Sequence, residues 1–321
     1  MRSHGHAHQK LVLGPWGPTP VAQRRRGDIA FGPEAIIDLP REYLRWFDHW
    51  LKGVDNGIDR EPLVSLFVMG PNKWLHGNEY PLPQTRFEKW YLSGEGKANT
   101  SKGDGKLGRE VSRADCPPDR YTYNPGDPTP NPDYYEQSKE EDAKVQVVEE
   151  KKKEREAHHQ KVTDERQDIL VYQTDPLAED LTFAGPVSAV LYASSSAKDT
   201  DWFMRVLEVE ADGKIHTLVE GKIRARFRKS MKAAEMLKPG EVYEYALDLW
   251  QTGATIAKGS RLRVEVASAS FPMFSRNLNT GGHNEMETQY IPADQTIYHD
   301  SSHPSHVLLP VIPGDSKQAE K

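Results

Sequence analysis

The sequence contains a single cysteine, Cys116. One cysteine excludes an internal disulfide and a multi-cysteine zinc site, and beside Pro117 and Pro118 it is expected to be a loop thiol. No apolar run approaches the roughly 18 residues that a membrane span requires, so no membrane partner is expected. The first ten residues lack the apolar region of a signal peptide, and this predicts a cytoplasmic location.

The excess of one sign of charge over the other is also small. The 321 residues include 42 Lys and Arg against 48 Asp and Glu, which gives a net charge of −6. A dedicated nucleic-acid binder needs an excess of basic residues to neutralise phosphates, so no nucleic-acid partner is expected. Seven Trp, thirteen Tyr and nine Phe are enough to build a core, which excludes global disorder.

The common catalytic and cofactor motifs are missing. The sequence has no Gly-x-Ser-x-Gly elbow of an α/β-hydrolase, no phosphate-binding loop and no dinucleotide fingerprint. Gly94-Glu95-Gly96 lies in a polar loop and has no third glycine. We therefore predict no cofactor, no metal site and no catalytic residue from these patterns.

The histidines form no zinc-protease pattern, since His-Glu-x-x-His and His-x-x-Glu-His are both absent. His158 and His159 fall in a highly charged segment and are expected to face solvent. The others singled out are expected to belong to a flexible terminus or to be satisfied within loops: His4, His6, His8, His303 and His306.

Two polar groups could suggest a site. Asp199, Asp201, Arg205 and Glu208 are interpreted as a turn followed by a charged outer strand face rather than as a carboxylate site. A polar loop after the apolar Phe271–Phe274 is interpreted as structural, because Gly-Gly permits positive φ and side-chain amides bond to backbone. Contact with sugar or peptide is the alternative for this loop, which comprises Asn277, Asn279, Thr280, Gly281 and Gly282.

Hydrophobic periodicity predicts a mainly-β protein. Residues 10–16 read as a short strand, and residues 41–52 have the apolar spacing of a helix that ends at Gly53. From residue 61 onward, short apolar stretches alternate with turn residues, a pattern typical of a β-sandwich or jelly roll. The expected strands are 63–69, 88–92, 169–173, 187–193, 202–210, 214–219, 222–228, 241–248, 261–268 and 306–312.

Residues 136–166 interrupt this pattern. Eighteen of these 31 residues are charged, eight basic and ten acidic, and apolar residues are too few to dock a helix face. We predict a solvated, mobile helix, or alternatively a partly disordered segment, that proteases cut first.

Several segments together resemble one family of hydrolases. They are KLVLGPW (10–16), GDIAFGPEA (27–35), LRWFDHWLKGVDNG (44–57), SLFVMGPNKW (65–74), DILVYQTDPLAEDLTFAGPV (168–187), ASSSAKDTDWFMRVLEVEADG (193–213), LKPGEVYEYALDLWQT (237–252), SRNLNTGG (275–282) and HPSHVLLPVI (303–312). The chain is similar to the C-terminal portion of the cocaine esterase / Xaa-Pro dipeptidyl-peptidase hydrolases. That family includes the α-amino-acid ester hydrolases and the glutaryl-cephalosporin acylases.

The resemblance implies a domain organisation. In that family an α/β-hydrolase domain with a Ser-Asp-His triad packs against a C-terminal jelly roll. Residues 1–60 are then a remnant of the hydrolase domain, residues 61–313 the jelly roll with the charged insert 136–166, and residues 314–321 a tail.

The resemblance also implies the loss of the triad in this chain. The family serine and aspartate lie upstream of everything present, and the family histidine follows in the pattern Gly-Pro-Trp-x-His. This chain reads Gly14-Pro15-Trp16-Gly17-Pro18, so Pro18 occupies the histidine position. Proline has no ionisable group and cannot act as a general base.

Three functions remain open at this point. The chain is an inactive part of such a hydrolase, partnered by a separately encoded N-terminal half or by another copy of itself. It is alternatively an active hydrolase that uses unusual positions, or a stand-alone jelly roll that binds carbohydrate or peptide. In the first case the strand at residues 10–13 and one face of the helix with Trp46, Phe47 and Trp50 need a partner surface.

Overall fold

Strands dominate the structure, which confirms the predicted mainly-β class. The computed structural model describes residues 8–17, 24–26, 29–133 and 157–314. The strands are β1 (Leu11–Leu13), β2 (Arg25–Arg26), β3 (Ile29–Ala30), β4 (Val64–Val68), β5 (Lys73–Gly77), β6 (Arg86–Ser93), β7 (Lys106–Gly108), β8 (Asp119–Tyr123), β9 (Leu170–Gln173), β10 (Leu181–Ser195), β11 (Asp201–Val209), β12 (Ile215–Arg224), β13 (Tyr243–Ile256), β14 (Arg261–Ala267), β15 (Ala293–Tyr298) and β16 (His306–Val311).

Helices are few among these residues. Helix α1 spans Leu39–Lys52, and residues 157–165 are also helical. Single 3-10 turns occur at Pro33–Ala35, Ile58–Arg60 and Ala225–Phe227. In the ranges that the structure describes, no helix is both long and apolar enough to cross a membrane.

Most strands lie along one path. Its order is β12-β11-β14-β9-β7-β6-β16-β10-β15-β8, and β13 pairs with β10 beside this path. A smaller sheet has the order β1-β4-β5, with β1 parallel to β4. A bridge between Met69 and Ala254 joins the small sheet to β13.

The long path folds back on itself around one core. Val206 and Val264, near one end of the path, and Tyr123 and Ile297, at the other, belong to the same cluster of buried side chains. The Tyr121 hydroxyl also hydrogen-bonds the hydroxyl of Ser268 at 2.9 Å, which links β8 to the end of β14. This arrangement is sandwich-like, and it buries the apolar side of each strand.

Two predicted strands are one strand in the structure. Residues 214–219 and 222–228 are predicted as separate strands, but β12 runs without a break from Ile215 to Arg224. Glu220 and Gly221, which lie between the two predicted strands, pair with Arg205 and Met204 of β11. Pairing with β11 therefore keeps these two residues in the strand, and the chain leaves the sheet at Ala225–Phe227.

The predicted insert lies largely outside the described residues, which exclude 134–156. Its described end, the helical residues 157–165, packs on the sheet: Val162 shares a buried cluster with Val171 and Ala267. The predicted domain boundary at residue 60 stays a prediction. Strand β1 lies before that boundary and pairs with β4 after it.

Candidate functional site

Helix α1 begins and ends at residues that are suited to those positions. The Asp38 side chain caps the helix by accepting from the Arg41 amide at 3.1 Å, and Pro40 lies in the first turn, where its missing N–H costs nothing. Gly53 follows the last turn with φ 72°, in the left-handed region that favours glycine.

Polar side chains attach α1 to the rest of the molecule. Arg45 hydrogen-bonds Glu61, beyond the end of the helix, and Asn56 donates to the Arg45 carbonyl at 2.7 Å. Lys10 at the start of β1 hydrogen-bonds Glu61 as well. Partial burial opposes ionisation of Glu61, but hydrogen bonds from Lys10 and Arg45 hold its pKa below the ordinary value.

The apolar side of α1 faces outward. Five side chains at helical spacing form what we call the outer stripe, and their exposed fractions are 59 % for Tyr43, 64 % for Leu44, 53 % for Phe47, 36 % for Trp50 and 76 % for Leu51. None of the α1 residues is buried. An amphipathic helix normally turns its apolar stripe to the core, so the exposed stripe of α1 is an unusual feature of the surface.

Strand β1 lies at the edge of the small sheet. It pairs in parallel with β4 from Leu11–Val64 to Leu13–Leu66. In the described ranges, no strand pairs with its other side. Both Leu11 and Leu13 are only partly buried. An edge strand of this kind presents unpaired backbone groups to a partner.

The turn after β1 is fixed by Trp16. Its indole N–H donates to the Ala35 carbonyl at 2.7 Å, and its ring lies 5.8 Å from that of Trp74. Pro18, at the position of the family histidine, lies outside the described residues, as do His4 and His6. The structure places His8 against the outer stripe, with its ring centroid 3.7 Å from that of Trp50.

The prediction of a charged outer face for residues 199–208 is wrong. Asp199 and Asp201 are 0 % and 5 % exposed, and the Asn277 amide donates to both at 2.8 Å. Arg226 pairs with Asp199 and Arg224 with Asp201. Asn277 belongs to the polar loop 275–282, so its hydrogen bonds hold that loop over the two carboxylates. The ionic partners of the carboxylates, Arg224 and Arg226, lie in another part of the chain.

The expected exposure of His159 is also wrong. His159 is 3 % exposed and lies 3.0 Å from Asp133 Oδ1 and 3.4 Å from Glu265 Oε1. Arg205, only 1 % exposed, lies 3.5 Å from the other oxygen of Glu265. The helical residues 157–165 cover the polar side of β11 and β14, which is why charges on alternating strand positions are buried here. His158 is half-buried beside them.

Burial and charge shift the pKa values in this cluster. Burial opposes protonation of His159, but the charge of Glu265 and the hydrogen bond with Asp133 outweigh it and raise the pKa of His159 to about 9. Burial likewise opposes ionisation of Asp133, and the His159 hydrogen bond overcomes it, so the pKa of Asp133 falls to about 2. The pair is therefore ionised at neutral pH.

A second buried network contains Cys116. Its thiol donates to the Gly94 carbonyl at 3.0 Å and lies 3.3 Å from His299 Nδ1. The other nitrogen of His299 is 2.7 Å from Asp119, which also accepts from the Tyr172 hydroxyl at 2.8 Å. All of these side chains are buried. No local sequence pattern indicates this network, because Cys116 and His299 are 183 residues apart.

The remaining candidates make ordinary local contacts in loops or strands. His303 hydrogen-bonds Asp300 at 3.0 Å, and the ring of His306 bonds the Pro304 carbonyl at 2.7 Å. Glu208 is half-buried on β11 and lines a cavity of about 250 Å³. Across the part of the chain that the structure describes, no three His, Cys, Asp or Glu residues are grouped closely enough to hold a metal ion.

Comparison with known proteins gives a consistent result. Residues 56–308 match the sequence family described as the X-Pro dipeptidyl-peptidase C-terminal non-catalytic domain. The chain is 33 % identical over 315 residues to a cocaine esterase of Rhodococcus sp. (strain MB1 Bresler), covering 96 % of this chain and 52 % of that protein. It thus spans about half the length of this relative.

Solved structures agree with the fold. An aminopeptidase from a marine sediment archaeon, Thaumarchaeota archaeon, matches with a TM-score of 0.70 and 26 % identity over 95 % of this chain and 49 % of its own. An α-amino acid ester hydrolase matches with a TM-score of 0.74 and 23 % identity, over 94 % of this chain and 50 % of its own. The latter likeness concerns the fold alone.

Proposed function

Because the chain belongs to the family of X-Pro dipeptidyl-peptidase C-terminal non-catalytic domains, we propose that it is the C-terminal part of a serine hydrolase and lacks activity by itself. It docks through the outer stripe of α1 and the open edge of β1 onto an α/β-hydrolase part that carries the nucleophile. The family resemblance implies hydrolysis of Xaa-Pro peptides, aminoacyl esters or acyl amides as the activity of a member with an intact triad, which Pro18 interrupts here. We also propose that the β-sandwich has the strand arrangement of a jelly roll.

The outer stripe is the observation that carries the proposal. Helix α1 is held to the protein by the Arg45–Glu61 contact, while Leu44, Phe47 and Leu51 are more than half exposed. Burying a side chain of this size stabilises a protein by roughly 1.5–3 kcal/mol. The exposure of five such residues is explained if the surface of a partner covers the outer stripe.

The length of the relatives supports a hydrolase part as the partner. The chain covers 52 % of the cocaine esterase and 49 % of the aminopeptidase, so each relative has a further half that this chain does not match. The first secondary structure here, β1, is parallel to its neighbour and has an open edge. Parallel strands are normally paired on both sides and covered by helices. The open edge of β1 is therefore expected if that further half contributes the neighbouring strands of the sheet.

Chemistry at Pro18 supports inactivity of the chain alone. A triad histidine accepts the proton of the serine hydroxyl, and an acid holds the required tautomer. The sequence has no Gly-x-Ser-x-Gly elbow, and Pro18 stands where the resemblance places the histidine. The Gly-x-Ser-x-Gly elbow also supplies a backbone N–H to the oxyanion hole, so this donor is missing from the chain as well.

The first experiment measures activity of the isolated chain. We expect ester and Xaa-Pro amide hydrolysis at the buffer rate and no labelling by a fluorophosphonate. Pro18→His alone is expected to leave the rate unchanged, because a histidine without its serine has no proton to accept. Saturable hydrolysis of an aminoacyl ester that a serine-directed inhibitor blocks would instead support an active hydrolase with unusual catalytic positions.

The second experiment tests the docking surface. The unmatched half of the cocaine esterase is expressed separately and titrated with this chain by analytical ultracentrifugation. Phe47→Glu is expected to weaken the complex at least tenfold, since it places a charge in a desolvated apolar interface. Met231→Glu is the matched control, because Met231 is 80 % exposed and lies outside the stripe. A dimer of the chain that Phe47→Glu dissociates would assign the stripe to a second copy and contradict the proposal.

A further inference from the structure

Four neighbouring strands, β13, β10, β16 and β6, leave one face of their sheet open. Successive residues of a strand point to opposite faces, and one set lies in the main core: Leu247, Leu249, Val187, Ala189, Val307, Leu309, Trp90 and Leu92. The residues between them form the other face. It carries Phe87, Val190, Ala246 and Leu308, with Trp250 at its β13 side, and all five are at least partly exposed. We call this surface the open sheet face.

The open sheet face is apolar where a solvated face of an antiparallel sheet is normally polar. Phe87 is 48 % exposed and Trp250 70 %. Register places Ala246 opposite Val190, and charged residues occur on the two outer strands, as Lys89 and Asp248. Neighbouring strands lie about 4.8 Å apart, so the face is about 14 Å wide. An apolar surface that spans four strands is a candidate contact surface.

Trp250 is held in a strained backbone conformation. The β10–β13 register shifts at this point, so that Leu249 and Trp250 together oppose Val187 as a β-bulge. Trp250 has φ 72°, in the left-handed region, where a bulge normally has glycine and a large side chain is strained. Burial does not offset this strain, because most of the indole is in water. The strain is explained if the indole contacts a partner.

The open sheet face is continuous with the surroundings of β1. The same side of β10 and β16 carries Ala184 and Ile312, which share a buried cluster with Leu11 and Leu13 of β1. Strand β1 and its small sheet therefore cover one end of this side of the sandwich, and the open sheet face is the uncovered remainder. A partner that docks against β1 lies beside it.

The size of a stable interface favours the hydrolase part as the occupant. Stable protein–protein interfaces have roughly 20–30 residues on each side and bury about 800 Å² per partner. The outer stripe contributes five residues and β1 three, so a stable complex needs further surface. The cocaise esterase relative has a further half that this chain does not match. A body of that size can reach α1, β1 and the open sheet face together.

We propose that the hydrolase part also covers the open sheet face, with Trp250 as the anchor residue. This inference rests on the proposed function and extends its docking surface from α1 and β1 to β13, β10, β16 and β6. The indole packs against an apolar surface of the partner, and Val190 and Leu308 pack beside it. Lys89 and Asp248 form part of the polar rim that surrounds the apolar centre of an interface.

Analytical ultracentrifugation of the full 321-residue chain with the separately expressed, unmatched half of the cocaine esterase tests the anchor. Trp250→Gly is expected to weaken the complex at least tenfold. The same variant is expected to unfold at a temperature no lower than the wild type, because glycine adopts a positive φ without strain. Met286→Gly is the matched control and is expected to bind like the wild type, since Met286 is 85 % exposed in a turn outside the open sheet face.

The outcomes separate this inference from the proposed function. Absence of any complex with the wild-type chain would overturn both. A complex that Phe47→Glu weakens and Trp250→Gly does not would overturn this inference alone. A lower unfolding temperature of Trp250→Gly would show that the indole serves the fold, and a dimer of the chain that Trp250→Gly dissociates would assign the face to a second copy. Either result would contradict the proposal.

Hydroxyl-radical footprinting of the wild-type proteins needs no variant. Oxidation of Trp250 is expected to fall at least fivefold when the complex forms, and oxidation of Met286 is expected to stay the same. Protection of Phe47 without protection of Trp250 would confine the interface to the outer stripe and overturn the inference.

Discussion

At the scale of single residues, His159 illustrates how this protein uses buried charge. It lies between Asp133 and Glu265, and Glu265 in turn lies beside Arg205. A buried charge without its partner is expensive, and removing one member of a buried ion pair typically costs about 3–5 kcal/mol. The helical residues 157–165 are therefore fixed to the sheet by a specific ionic contact as well as by Val162.

The first prediction concerns substitution of His159. His159→Gln is expected to lower the free energy of unfolding by about 3 kcal/mol, because Glu265 and Asp133 lose a positive partner. Denaturant unfolding at pH 7 measures the change. His158→Gln, at the half-buried neighbour, is the control and is expected to change stability by less than about 1 kcal/mol. Equal effects of the two substitutions would mean that the His159 contact contributes little.

The same residue predicts a pH dependence. The pKa of His159 is raised from 6.5 to about 9 in the folded protein. Its stabilising contribution is therefore fully present below about pH 6.5 and is lost as pH rises through about 9. From linkage this loss is on the order of 3 kcal/mol. Unfolding measured at pH 6 and pH 9.5 is expected to show this loss in the wild type and not in His159→Gln, and a parallel decline in both proteins would contradict it.

At the scale of elements, helix α1 is well determined by its own sequence. The apolar spacing and Gly53 at the end predict residues 41–52, and the structure has Leu39–Lys52. Strands with apolar alternation were predicted in the same way. Strands β5, β7, β8 and β15 were not predicted, because they are short or rich in polar residues and owe their conformation to pairing with neighbours.

The buried polar networks could not be predicted from local pattern. A polar residue at every second position is typical of an exposed strand face, and this reading fails for Asp199, Asp201 and Arg205. Their partners are far away in the sequence: Asn277 is 78 residues from Asp199, and Ser270 is 65 residues from Arg205. Only the three-dimensional structure shows that another segment covers each face.

A prediction at this scale concerns the end of α1. Gly53 has φ 72° and open space where a Cβ atom would stand. Gly53→Ala is therefore expected to cost about 1 kcal/mol from backbone strain alone. Gly108→Ala is the matched control, since Gly108 also has open space but no positive φ, and it should not destabilise the protein by this mechanism. Thermal unfolding of the two variants measures the difference, and equal unfolding temperatures would contradict the capping role.

At the scale of the whole molecule, the distribution of apolar surface is uneven. The sandwich buries its main core fully, whereas the outer stripe of α1 and the open edge of β1 lie at the N-terminal side of the chain. The chain also spans about half the length of the relatives it matches. These features are explained together if the chain is the C-terminal part of a larger hydrolase and the surface next to its N-terminal residues is an interface.

The most direct test of this account joins the unmatched half of the cocaine esterase relative to this chain in one polypeptide. The steady-state kcat for an aminoacyl ester is then measured with Pro18 unchanged and with Pro18→His. We expect the Pro18→His fusion to turn over and the unchanged fusion to have a kcat lower by on the order of 10⁴-fold, the loss caused by removing a triad member. Equal turnover by the two fusions would contradict the account.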